Sequence, residues 1–307
     1  MATNWRLASR KRALETRAAT INALRDFFRT RQYLEVETPF RIPAPAPESH
    51  IDTIPADGWF LHASPELCMK RLVAAGYPRV FQICHCWRAG ERGRRHISEF
   101  TMLEWYRAGA DYTSLMDETE ALVTGVVRRV MKRRILTYQG QAIRLAAQWN
   151  RLTVEEAYQH YSGVSAEDAL GEGTFDERMV RDIEPLLGHP VPTFLYDYPA
   201  SRGSLARLRA DNPSVAERFE LYIAGLELAN GFSELVDPAE QRRRFEAEEA
   251  YRRSIGKPPY PLAVKFLEEL QDMPPCAGIA LGVDRLVMLM HDTDSIDDVV
   301  AFTPEEL

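Results

Sequence analysis

The sequence predicts an α+β fold, a mostly antiparallel sheet flanked by helices and built as a single domain. Three observations predict it. Strand-like runs do not alternate regularly with helical ones, as a doubly wound parallel sheet requires. Instead they gather around short connections, Arg79–Arg88 with Glu99–Tyr106 and Ala216–Leu235 folded back near Gly225. No composition shift or low-complexity linker divides the 307 residues, a length that suits one large domain.

The elements follow in order. Leu14, Ala18, Ile21, Leu24, Phe27 and Phe28 recur at helical spacing and predict an amphipathic helix over Arg10–Arg31. Leu34–Pro39 alternates like a short strand, Ile42–Pro47 holds three prolines and reads as a loop, and Trp59–His62 reads as a strand. Ser64-Pro65-Glu66 is a helix start, with a capping hydroxyl, proline and then an acid in the first turn; Gly76 can end that helix. Leu115–Arg134 predicts a helix with a basic last turn. The stretch of about 140–190 is expected to be a helical insertion, with a capping box at Thr153-Val-Glu-Glu156. Val191–Tyr198 reads as a strand, Pro238–Arg253 and Ala263–Leu270 as helices, and Gly278–Gly282 as a buried strand running into a helix over Val283–Met290.

Composition narrows the class. The net charge is −7, with a local basic cluster at Arg92, Arg94 and Arg95, unlike a protein whose main partner is nucleic acid. No apolar run approaches a membrane span and the first residues are not a secretory signal. Cys68, Cys84, Cys86 and Cys276 suggest no disulfide framework, so a cytoplasmic setting is expected. In Cys84-His85-Cys86 the cysteines share one strand face and His85 takes the other, which favours packing over a zinc site.

Four segments carry chemistry. Arg88, at a strand end, can fork onto phosphate oxygens, and a long loop over Ala89–Ser98 follows it, with Phe100 placed to stack on a base. Glu104 and Tyr106 share a strand face and suit an ammonium group. Glu227 and Glu234 flank Asn230-Gly231 and are expected to bridge magnesium on a triphosphate, with Asn230 on a substrate carboxylate. Gly278 and Gly282 allow close backbone approach, and Arg285 stands one turn into the next helix. Each segment alone also fits ordinary packing or a solvated face. No Walker-type glycine loop occurs, so phosphate binding would rest on arginines and magnesium.

Together these segments resemble the class II aminoacyl-tRNA synthetase core of the lysyl type. Phe28–Pro39 resembles motif 1, Phe81–Tyr106 motif 2 and Gly278–Leu286 motif 3. Lysyl synthetases carry an anticodon-binding barrel before motif 1, whereas here only about Met1–Ala8 precede the first helix. The expectation is therefore a catalytic core with no anticodon-binding domain, the pattern of the elongation factor P (R)-β-lysine ligase family. Ser64 in place of the usual alanine, and Ala280 in place of the usual motif 3 glycine, support that branch.

The resemblance implies ATP and Mg²⁺ as cofactors, β-lysine as the activated acid, elongation factor P as acceptor, a homodimer and no stable tRNA binding. It implies Arg88 and Arg285 as catalytic residues on the phosphates. Glu91, His96, Phe100, Glu227, Leu228 and Gly282 complete the nucleotide site, with Glu227 and Glu234 on the metal. Ser64, Pro65, Glu66, Glu104, Tyr106, Asn230, Glu234 and Ala280 would form the amino-acid pocket, Glu66 holding the β-ammonium and Glu104 with Tyr106 the ε-ammonium. The chain departs from the pattern at Ala89, Gly90, Ile97 and Ser98, where polar nucleotide contacts are replaced. Two further readings remain: a minimal ligase acting on tRNA or another amine, and a non-catalytic amino-acid sensor.

Overall fold

The computed structural model describes residues 5–307. Its centre is an eight-stranded sheet. In chain order the strands are β1 (Leu34–Glu35), β2 (Arg79–Trp87), β3 (Glu99–Ala108), β4 (Asn150–Thr153), β5 (Thr193–Pro199), β6 (Val215–Ile223), β7 (Leu226–Ser233) and β8 (Cys276–Gly282). Their spatial order is β1-β2-β3-β8-β7-β6-β5-β4. The six inner strands pair antiparallel, while β1 on β2 and β4 on β5 are parallel at the two edges.

One sheet face is covered by α1 (Lys11–Thr30), α3 (Tyr112–Met131) and α5 (Val283–His291), the other in part by α2 (Glu66–Ala74) and α4 (Pro238–Ser254). Helix α1 turns Ala13, Ala23, Leu24 and Phe28 inward. Phe28 stacks on Phe81 with centroids 4.7 Å apart and lies 5.1 Å from Trp105. Full burial of each such ring contributes on the order of 2–3 kcal/mol. The polar tips are satisfied, since Trp105 Nε1 and Tyr33 Oη both donate to Glu118 Oε2. Asp111 caps α3 by accepting from the Ser114 N–H at 2.8 Å.

Two expectations are corrected. The stretch of about 140–190 is not helical throughout: Ile135–Tyr138 and Gln141–Arg144 form a hairpin, and β4 extends the main sheet before short helical pieces run from Val154 to Leu186. Leu136, Tyr138 and Ile143 are buried in alternation, and Gln139 and Gly140 both take positive φ at the turn, so period two prevails there. The capping box at Thr153 and Glu156 does form. The strand expected over Leu34–Pro39 pairs only at Leu34 and Glu35; farther on, the Thr38 N–H turns to the Gln82 side chain instead of a ladder. The parallel edge pairs carry no local signal, because they join segments distant in sequence.

Candidate active site

Strand alternation aims Phe100, Met102, Glu104 and Tyr106 of β3, Arg218 and Glu220 of β6, and Gly278, Ala280 and Gly282 of β8 into one cavity of about 770 Å³. Ser64, Glu66, Arg88, Glu91, His96, Glu227, Leu228, Asn230 and Arg285 line the same cavity. Most of the residues singled out in the sequence therefore meet. Pro65 does not line it; it fixes the entry to α2. Glu234 is buried behind it, below Gly278.

One end of the cavity is built for anions. The Arg88 guanidinium lies over the Phe100 ring, 5.1 Å from its centroid, and 3.7 Å from Glu91. Its Nε–H is buried without a partner. Arg285 donates to the Glu227 carbonyl at 2.7 Å, to Glu227 Oε2 at 3.1 Å and to His96 Nε2 at 2.8 Å. A guanidinium only donates, so His96 accepts through a bare Nε2. Burial, and then the Arg285 charge, hold the His96 pKa below its usual value. Asp284, beside Arg285, accepts the Thr101 N–H and binds Arg17. It ties the start of α5 to β3 and so aims Arg285.

The metal pair expected from sequence is corrected. Glu227 is the second residue of β7 and Glu234 lies just past its end. Seven residues of strand separate carboxylates by roughly 20 Å, too far to share an ion. The partner of Glu227 is Glu220 on the neighbouring strand. The two carboxylates interact electrostatically, as do both with Glu184. Glu184 is pushed up to about 7 by burial and then by Glu220 and Glu227. Glu220 is also raised, first by burial, against the opposing pull of Arg218. Oxygen donors held this close with incomplete neutralisation fit a magnesium ion. Residues Arg218 and Glu220, alternating with the apolar Phe219 and Leu221, carried the signal that sequence reasoning missed.

The other end of the cavity is acidic. Ser64 Oγ donates to Glu104 Oε1 at 2.6 Å, and Tyr106 Oη donates to Oε2 at 2.9 Å. Ser64 also accepts the Glu66 N–H at the start of α2. Glu104 is pushed up to about 8 by burial and then by Glu66, and burial pushes Glu234 up to about 8 despite Lys70. Lys70, missed in the sequence, is buried with its Nζ 2.6 Å from Glu66 and 2.5 Å from Glu234. A Glu-to-Lys spacing of four on the inward side of α2 was its signal. Glu48, in a loop without periodicity, adds a carboxyl raised to about 7 by burial and then Glu66. Gly278 is also reinterpreted. A β-carbon there would fall inside the Tyr106 ring and the Glu234 carboxylate, so this glycine makes room for the pocket floor, not for a ligand. At Gly282 an added β-carbon would meet only the Arg285 side chain, leaving open backbone beside the cavity.

Comparison with known proteins fits this geometry. The family model for tRNA synthetases class II (D, K and N) matches residues 2–306. A protein of Vibrio campbellii named elongation factor P–(R)-beta-lysine ligase is 40% identical over 98% of each chain. Proteins of the same name from Vibrio cholerae and Salmonella typhi are 40% and 38% identical, each over 97% of both chains.

Proposed function

The chain belongs to the elongation factor P–(R)-β-lysine ligase family within the class II tRNA synthetases, and on that premise we propose that it activates (R)-β-lysine with ATP and transfers it to a lysine side chain of elongation factor P. The observation that carries this reading is the charge count in the acidic end. The acidic end holds four carboxyls, Glu48, Glu66, Glu104 and Glu234, against one buried ammonium, Lys70, which pairs with Glu66 and Glu234. The carboxyls of Glu48, Glu104 and Glu234, raised as they are by burial, are poised to receive cations, and an amino acid with two ammonium groups supplies them. Glu66 and Glu104 face the cavity to hold those groups, with Tyr106 and Ser64 orienting the Glu104 carboxylate.

Asn230 faces the cavity between the two ends, and its Oδ1 accepts from Arg218. In this reading it holds the substrate carboxylate, which attacks the α-phosphorus while Arg88 and Arg285 bind the phosphates and Phe100 stacks on adenine. Glu220 and Glu227 would hold Mg²⁺, whose charge offsets that of the triphosphate when bound. Catalysis is then chiefly positioning and charge stabilisation. Transfer needs the acceptor ε-amine in its neutral form. A homodimer through the segment around β1, where Leu34 and Phe40 are exposed, and a cytoplasmic location belong to the same proposal. No helix among the described residues is long and apolar enough to cross a membrane.

ATP–pyrophosphate exchange across lysine isomers, followed by transfer to elongation factor P or to tRNA, tests the reading. Exchange with (R)-β-lysine and transfer to the protein are expected. Transfer to tRNA alone would reject it, and absence of exchange with every isomer would favour a sensor.

A further inference from the structure

A second cluster of reactive side chains lies behind the nucleotide end, outside the machinery described above. Cys84 and Cys86 project from the cavity-side face of β2, and His85 on the opposite face is exposed and bonded to Glu99. The histidine that joins the cysteines comes from elsewhere. His62 follows the short strand Trp59–Leu61, and its main chain links Phe40 to Trp87, accepting from the Trp87 N–H. His62, Cys84 and Cys86 are 1%, 5% and 0% exposed.

The His62 ring has a defined tautomer. Its Nε2 lies 2.9 Å from the His85 carbonyl oxygen. A carbonyl only accepts, so Nε2 carries the hydrogen and Nδ1 carries the lone pair. That Nδ1 is buried without a partner. A histidine whose far nitrogen is bonded to a backbone carbonyl is the usual second-sphere arrangement of a metal ligand. The two sulfurs are 3.9 Å apart. Two sulfurs each about 2.3 Å from one cation stand roughly 3.8 Å apart in a tetrahedral arrangement and roughly 4.0 Å in a trigonal one. All three donor atoms lie within 4.8 Å of one another.

We propose that His62 Nδ1, Cys84 Sγ and Cys86 Sγ form a binding site for a thiophilic closed-shell cation, zinc(II) or copper(I). Two soft sulfur donors and an imidazole select such ions over magnesium. Binding would release the thiol protons and join β2 to the loop that carries Ser64. Cys86 and Cys84 pair in register with Phe100 and Met102, and Phe100 and Ala280 pack on the cluster. The ion would therefore brace the adenine platform from behind without touching substrate.

The test uses the full reduced chain, incubated without oxygen with Zn²⁺, Cu⁺ or Co²⁺ alone and then desalted. One ion per chain is expected. The cobalt form should show a near-ultraviolet thiolate-to-metal charge-transfer band, which carboxylate-bound cobalt lacks. Cys86→Ala and His62→Ala should each weaken binding by more than ~100-fold, beyond the loss typical of second-sphere changes. The Cys68→Ala/Cys276→Ala protein should keep the ion. Retention of Zn²⁺ alone or Cu⁺ alone identifies the cation and supports the site. Failure of the wild-type chain to retain either ion, or retention unaffected by Cys86→Ala, overturns the proposal. Circular dichroism checks folding, and Cys84→Ala decides the matter if His62→Ala does not fold.

Discussion

Arg285 donates to His96 at 2.8 Å across the mouth of the anion-binding end. The contact joins motif 3 to the motif 2 loop through a neutral imidazole. In the proposed site Arg285 is the guanidinium that meets phosphate, so Arg285→Ala is expected to lower the exchange rate by roughly 10³-fold or more. His96→Ala leaves the charge and loses only its support, so a loss of about 10- to 100-fold is expected. Pyrophosphate exchange kinetics check both, and equal losses would refute this division of roles.

Glu220 and Glu234 separate under a magnesium titration. Glu220→Gln and Glu227→Gln should raise the Mg²⁺ concentration needed for half-maximal exchange by about tenfold or more, because each removes an anionic oxygen donor. Glu234→Gln should leave that concentration unchanged and raise the KM for the amino acid. If Glu234→Gln shifts the magnesium curve instead, the assignment of the metal pair to Glu220 and Glu227 is wrong.

Glu104 and Glu234 predict a proton release. Both have pKa values of about 8 in the empty pocket, above the ordinary carboxylate value of about 4. Their raised values make the empty protein more stable at low pH. That stabilisation is complete below about 4 and is lost as pH rises through about 8. A diammonium ligand favours the ionised carboxylates, so binding at pH 7 releases protons and affinity rises as pH approaches 8. Calorimetry at pH 7 in two buffers of different ionisation enthalpy reads the released protons directly. Heats that do not depend on the buffer would exclude the mechanism.

Lys70 is the buried counter-charge on which the acidic floor depends. Lys70→Met leaves Glu66 and Glu234 without it, and breaking a buried pair from one side costs about 3–5 kcal/mol. Chemical denaturation should show that loss at pH 8. At pH 6, where Glu234 takes up a proton, the loss should be smaller. A pH-independent difference would mean that the pair is not the source.

Gly278→Ala tests the reassigned glycine. Overpacking of this kind costs typically 1–3 kcal/mol, and here it falls on Tyr106 and Glu234. The expected result is a higher KM for the amino acid with the KM for ATP little changed. A selective effect on ATP would overturn this assignment of Gly278 to the floor of the amino-acid pocket.

What the sequence determined by itself was local. Apolar spacing defined α1, α3 and α5, alternation put Glu104 beside Tyr106 on one face of β3, and Arg88, Phe100, Glu227, Asn230 and Arg285 could be singled out in place. These are relations within one helix or strand, where periodicity is enough to assign a face. Tertiary structure decided the rest, because strand order and register set which distant side chains meet. It paired Glu227 with Glu220 rather than Glu234, gave the acidic pocket its ammonium from Lys70, turned Gly278 toward Tyr106, and brought His62 to the cysteines of β2. Glu227 and Glu234 stand near opposite ends of one extended strand, while Glu220 and Glu227, equally far apart in the chain, lie on adjacent strands and can face one ion.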